Sequence, residues 1–108
     1  MQIQISDRSH HLPAELRAHV EKRIESLDDH LALVAGADVE FSRDLKRRPE
    51  PLHVVKINLR LLGHRLPGLH VSETGHDPRN TFDVALARIS NEVDRLKERV
   101  TTHPQRST

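Results

Sequence analysis

The chain has 108 residues, with 17 Lys and Arg against 16 Asp and Glu, so its formal net charge is +1. This is the length of one ordinary domain, and the charge balance excludes a chain that is strongly basic or acidic as a whole. Cysteine is absent, which excludes disulfides and thiolate zinc sites and favours a reducing, cytoplasmic setting. No apolar run approaches the roughly 18 residues that span a bilayer, and no segment resembles a secretion signal, so we expect no membrane contact.

The first part of the chain predicts a strand, a helix and a second strand. Ile3 and Ile5 alternate with polar residues, which is typical of a half-buried strand. Apolar residues then recur at helical spacing over about Pro13–Leu33, which predicts an amphipathic helix that stops at Gly36. A second alternation of apolar and polar residues over Ala37–Ser42 predicts the next strand.

Two further strands are predicted before the chain turns helical again. Leu52–Leu62 has one apolar face, while the other face carries Lys56 and Arg60. Leu66–Glu73 predicts a fourth strand, and Pro67 places it at the edge of a sheet because proline lacks an N–H for the ladder.

The last predicted element is a long helix. Asp77 followed by Pro78 is typical of a helix start, with an N-cap acceptor before a proline at the first helical position. Apolar residues from Phe82 to Val100 recur at helical spacing. Residues 101–108 are polar and are predicted to form a flexible tail.

These elements predict an α+β fold of the order β-α-β-β-β-α, in one domain over residues 1–100. The first crossover carries a helix, so the first two strands should be parallel, and the last three should form an antiparallel meander. Packing both apolar helix stripes on one face of the four-stranded sheet buries them together. The prediction is therefore a two-layer sandwich with two helices on one sheet face.

Three stretches of the chain match the motifs of a known family in order and spacing. They are MQIQIS at residues 1–6, the segment from Leu16 to Leu27, and GHD followed by FD within residues 75–83. Over about residues 1–100 the chain resembles the ribosome hibernation promoting factors, which include the ribosome-associated inhibitor. The resemblance implies a protein that binds the small ribosomal subunit at its decoding region and contacts ribosomal RNA (rRNA).

The same resemblance implies that the protein occludes the messenger and transfer RNA sites and preserves idle ribosomes during stress or stationary phase. Longer members of that family add a C-terminal dimerisation domain. This chain looks like a short member, so we expect a monomer when it is not on the ribosome.

Eight basic residues are candidates for rRNA contact, because Lys and Arg neutralise phosphates without reading sequence. They lie on both predicted helices and on one face of the third strand: Lys22, Arg23, Lys56, Arg60, Arg88, Arg95, Lys97 and Arg99. On the second helix the acidic residues Glu92, Asp94 and Glu98 interleave with them, so a merely solvated helix face is the alternative. Lys22 and Arg23 extend the same patch if the two helices lie side by side.

Other functions have less support from the sequence. No catalytic motif or metal-ligand spacing is present, so we expect no enzyme activity, cofactor, metal or small-molecule substrate. The 9 histidines are interpreted as scattered surface residues. The alternative function is a non-RNA regulatory module that binds a protein through the exposed sheet face, where Val54 and Leu62 would lie.

Overall fold

A computed structural model describes residues 2–8, 12–31, 34–44, 46, 52–62 and 68–106, without the side chains of residues 28–31, 97 and 99–106. The elements run in the order β1 (Gln2–Asp7), α1 (Ala14–Leu31), β2 (Val34–Asp44), β3 (Leu52–Leu61), β4 (Leu69–Gly75) and α2 (Pro78–Arg106). This order confirms the predicted α+β fold.

The four strands form one sheet in the order β1-β2-β3-β4. β1 is parallel to β2, and the other neighbouring strands are antiparallel, as the helical crossover and the meander predict. The register aligns Ile5 with Val39, Val39 with Ile57, and Ile57 with Val71. Because residues that pair across strands share a face, these apolar side chains form a row on one side of the sheet.

Both helices cover that apolar side, which confirms the predicted two-layer sandwich. α1 contacts β1 and β2, while α2 contacts β3 and β4. The rings of Phe41 on β2 and Phe82 on α2 lie 6.4 Å apart between centroids. The largest fully buried side chains come from both layers: Phe82, Ile24, Ile57, Leu59, Ile89, Val20, Val39 and Val55.

The start of α2 forms as the sequence predicts. The N–H of Asn80 donates to Asp77 Oδ2 at 3.0 Å, and the N–H of Thr81 donates to the main-chain oxygen of Asp77 at 2.9 Å. The Thr81 hydroxyl donates to the same oxygen at 2.7 Å. Asp77 is therefore the N-cap, which satisfies N–H groups that have no partner inside the helix.

The prediction that Gly36 stops the first helix is wrong. Gly36 lies inside β2, opposite Gln2 on one side and Arg60 on the other, next to a register shift between Val34 and Gly36. The Arg60 side chain lies over it, and a Cβ at this position would come within 2.2 Å of Arg60 Nη2. The glycine thus allows the arginine side chain to approach the backbone closely. In the sequence, a glycine needed for this reason cannot be distinguished from a glycine that ends a helix.

Element boundaries also differ from the prediction, and β2 runs over Val34–Asp44 instead of Ala37–Ser42. The fourth strand runs over Leu69–Gly75 and so continues past its predicted end at Glu73, because its pairing with β3 extends to His53 opposite Gly75. The predicted start at Leu66 and Pro67 lies outside the described residues. α2 extends to Arg106 and so includes most of the segment 101–108. The flexibility expected of that segment stays a prediction.

Candidate nucleic-acid interface

The candidate residues with described side chains lie on three surfaces. They are exposed on α1 (Lys22, Arg23), on the sheet face opposite the helices (Lys56, Arg60), and on α2 (Arg88, Arg95). Lys97 and Arg99 stand on α2, with side chains outside the described part of the chain. We call Arg88 and Arg95 the α2 flank.

The first cation of the α2 flank is bound to the neighbouring strand. Arg88 Nη1 donates to Glu73 Oε2 and, at 3.4 Å, to the main-chain oxygen of Ser72 on β4. The Arg88 side chain is nevertheless 57% exposed, while that of Glu73 is 22% exposed. The guanidinium is therefore held against the edge of the sheet with much of its surface open to solvent.

The second cation of the α2 flank is held more loosely. Arg95 Nη1 lies 3.9 Å from Glu92 Oε1, one turn earlier on the same helix, and the Arg95 side chain is 73% exposed. This separation is too long for a hydrogen bond. An exposed pair of this kind contributes little to stability, so Arg95 is readily available to an external anion.

The cations of α1 are separated from the α2 flank, which the sequence joined to them only on the condition that the helices lie side by side. His19 Nε2 on α1 lies 2.7 Å from Asp83 Oδ1 on α2, so Asp83 faces α1. Arg88, by contrast, contacts β4. Because α2 lies between α1 and the outer edge of β4, the two sets of cations lie on different sides of it.

Lys22 and Arg23 form a separate site on α1. Both side chains are exposed, and neither makes an ion pair with a described residue. Two adjacent cations without an ion pair among the described residues are able to bind phosphate without first breaking a contact there.

The open sheet face is largely neutralised by its own ion pairs. Arg60 Nη1 donates to Asp38 Oδ2 at 2.5 Å, and Arg8 Nε lies 3.1 Å from Glu40 Oε1. Lys56 stands directly opposite Glu40 in the β2–β3 register. Arg60 therefore has a structural role in the sheet, since its guanidinium binds Asp38 and also covers Gly36.

The apolar residues of this open face are few. Val54 is half-buried and Leu62, just beyond β3, is 52% exposed. Their neighbours on the same face are polar, as the pairing of Val54 with Ser42 and Thr74 shows. The described part of this face therefore contains no large apolar patch of the kind that marks a stable protein interface.

Two histidines are not the scattered surface residues that the sequence suggested. His19 contacts Asp83 and packs edge-to-face on Phe82, with ring centroids 5.8 Å apart. Burial, followed by the nearby Arg43 guanidinium, lowers the pKa of His53 from the usual 6.5. The His19 contact was missed because residues 64 positions apart meet only after the two helices pack.

Within the described residues, no three His, Cys, Asp or Glu side chains are grouped so that they could hold a metal ion. No helix in the same part of the chain is long and apolar enough to cross a membrane.

The chain matches the family described as "Sigma 54 modulation protein / S30EA ribosomal protein" over residues 3–101. Because the match spans most of its length, the chain belongs to this family, and the resemblance to hibernation promoting factors is confirmed. Proteins of this family are non-enzymatic factors associated with the ribosome, in agreement with the prediction that the chain is not an enzyme.

Two solved structures have the same fold. The crystal structure of the Thermus thermophilus Protein Y N-terminal domain has a TM-score of 0.73 and 25% identity, covering 89% of this chain and 99% of that one. A ribosomal subunit interface protein from Coxiella burnetii has a TM-score of 0.73 and 16% identity, covering 91% and 99%; at this identity the likeness shows the fold alone. No curated protein sequence matches the chain.

Proposed function

We propose that this protein is a cytoplasmic translation inhibitor that binds the small ribosomal subunit at its decoding region through rRNA contacts. By occupying that region it blocks the messenger and transfer RNA sites and preserves idle ribosomes during stress or stationary phase. The observation that carries the proposal is the family match over residues 3–101.

The family description supports a ribosomal partner, since it names a ribosomal protein. The solved structures support the fold: Protein Y has the same architecture over 99% of its N-terminal domain, and the ribosomal subunit interface protein has it over 99% of its chain. A protein at a subunit interface meets a surface made largely of RNA, whose backbone phosphates are bound by Lys and Arg.

The charges of the described residues support contacts that are local. The net charge is +1, so the field of the whole molecule does not steer it strongly to RNA. Attraction must come from particular exposed cations, and the α2 flank with Lys22 and Arg23 provides them. Lys97 and Arg99 continue α2 and belong to the proposal through their positions alone.

Lys56 and Arg60 are secondary members of the proposed interface. They lie on the opposite face of the sheet from the helices, and Arg60 is bound to Asp38. Because a single rigid RNA surface contacts one face of a two-layer domain, we rank the helix-side cations first.

The proposal is tested by charge reversal in a purified translation system. The double variant Arg88→Glu, Arg95→Glu should lose inhibition at concentrations where the wild type inhibits fully. The matched control, Arg8→Glu with Arg43→Glu, makes the same change in charge at exposed positions just after β1 and on β2. Equal inhibition by both doubles would contradict a role for the α2 flank.

The protein-binding alternative predicts a different result. A partner on the open sheet face would be disturbed by Leu62→Glu, whereas the α2 flank double would leave it intact. Loss of inhibition with Leu62→Glu alone would therefore favour that alternative over rRNA contact.

A further inference from the structure

The hydrogen bonds of the Arg88 guanidinium come from only one of its three nitrogens. Both of its contacts, to Glu73 Oε2 and to the Ser72 main-chain oxygen, come from Nη1. Nε and Nη2 have no hydrogen-bond partner among the described residues. Since the side chain is 57% exposed, the edge formed by these two nitrogens is open to a ligand.

That open edge has the geometry of a phosphate-binding fork. Parallel N–H groups on a planar guanidinium match two oxygens of a phosphate, whereas an ammonium acts only as a point charge. A fork of this kind binds best when its orientation is fixed beforehand, because less conformational freedom is then lost on binding.

We propose that Glu73 is a positioning residue that holds Arg88 with its Nε–Nη2 edge presented to an RNA phosphodiester. The inference rests on the proposed function and names the ligand group and the orienting residue. The Ser72 main-chain oxygen adds a second point of attachment, so that rotation of the guanidinium away from the sheet breaks two contacts.

The other cation of the α2 flank lacks this support. Arg95 is 3.9 Å from Glu92 and more exposed than Arg88, so its carboxylate neighbour does not fix the guanidinium. Glu73 and Glu92 thus differ in one respect that matters: the first holds its arginine through a hydrogen bond, and the second only lies near its arginine.

This difference makes the sign of a mutation informative. Glu73→Gln removes a negative charge close to the RNA surface, so simple electrostatics predicts tighter RNA binding. Loss of orientation predicts weaker binding, by about two- to tenfold, the range expected when one long side chain must be ordered on binding. Glu92→Gln, which removes the same charge without freeing a hydrogen-bonded fork, should leave binding unchanged or tighten it.

The experiment measures binding of the full chain to purified small ribosomal subunits at fixed ionic strength. It compares the wild type with Glu73→Gln, Glu92→Gln, Arg88→Lys and the double variant Glu73→Gln, Arg88→Lys. We expect Arg88→Lys to weaken binding strongly in the wild-type background and less in the Glu73→Gln background, because the oriented fork is already lost there. Thermal unfolding of each variant identifies a temperature at which all are folded, and binding is measured there.

Unchanged or tighter binding by Glu73→Gln would overturn the positioning role. Equal losses from Arg88→Lys in the two backgrounds would overturn it as well. Failure of the wild type to bind small subunits would instead overturn the proposed function, so the two failures are distinguishable.

Discussion

The imidazole of His19 and the carboxylate of Asp83 meet at 2.7 Å between Nε2 and Oδ1, although 64 positions separate them in the sequence. The contact joins α1 to α2 above the sheet, and the edge of the His19 ring packs on Phe82. It marks the side of α2 that faces α1, whereas Arg88 of the α2 flank contacts β4 on the other side of the helix.

Removing this contact should cost a modest amount of stability. Asp83→Ala should lower the free energy of unfolding by about 0.5–1.5 kcal/mol, the usual contribution of one hydrogen bond. Asp94→Ala, at an exposed position further along α2, is the control and should change it by less than about 0.5 kcal/mol. Urea unfolding of the two variants measures the difference, and equal effects would show that His19 and Asp83 are not coupled.

Truncation in the core should be much more damaging. Ile89 is 0% exposed and Leu59 is 1% exposed, so replacing either by Ala should cost about 2–5 kcal/mol through lost burial and the cavity that remains. Val84→Ala is the control, because Val84 is 45% exposed on the same helix as Ile89. Urea unfolding that gave all three variants similar midpoints would contradict the packing of α2 on the sheet.

The N-cap of α2 predicts a graded response. Asp77→Ala removes the acceptor of the Asn80 N–H and should cost about 0.5–2 kcal/mol. Asp77→Asn keeps a side-chain oxygen and should cost less. Helix content and urea midpoints distinguish the two variants, and the reverse order of stability would contradict capping by the Asp77 side chain.

His53 gives the protein a pH dependence of defined sign. Burial, with Arg43 nearby, lowers the pKa of His53 in the folded state below its ordinary 6.5. As the pH falls, the unfolded chain therefore binds a proton at this histidine before the folded protein does. The contribution of neutral His53 to the free energy of unfolding is thus fully present above about pH 6.5, and it is lost as the pH falls towards the lower pKa of the folded state. Unfolding free energies between pH 7 and pH 5 should fall less steeply for His53→Gln than for the wild type.

The control for this measurement is Asn58→Gln, which exchanges one non-titrating amide for another at an exposed position on the open sheet face. Its profile should run parallel to that of the wild type. A His53→Gln profile as steep as that of the wild type would mean that other groups carry the pH dependence.

The sequence predicted the elements well where periodicity alone decides them. The alternation at Ile57 and Leu59 defined the buried face of β3, and the spacing from Phe82 to Leu96 defined the buried stripe of α2. Both patterns follow from the repeat of a strand or helix, so they are visible without knowledge of the partners.

Contacts between elements could not be predicted from the sequence. Gly36 has the same signature as a helix stop until the Arg60 side chain is seen lying over it. Likewise, Arg88 and Arg95 are equivalent on a helical wheel, and only the position of β4 shows that Arg88 is held by Glu73. The candidate residues, and the place of Lys56 and Arg60 on the open sheet face, were therefore predictable, while the separation of the α1 cations from the α2 flank was not.

The most direct test of the proposed function is cosedimentation with isolated small and large ribosomal subunits over a series of salt concentrations. We predict that the protein sediments with small subunits, that binding falls steeply as salt rises, and that the α2 flank double Arg88→Glu, Arg95→Glu remains unbound while Arg8→Glu, Arg43→Glu binds. Binding to small subunits that is insensitive to salt, or that persists in the α2 flank double, would contradict the account.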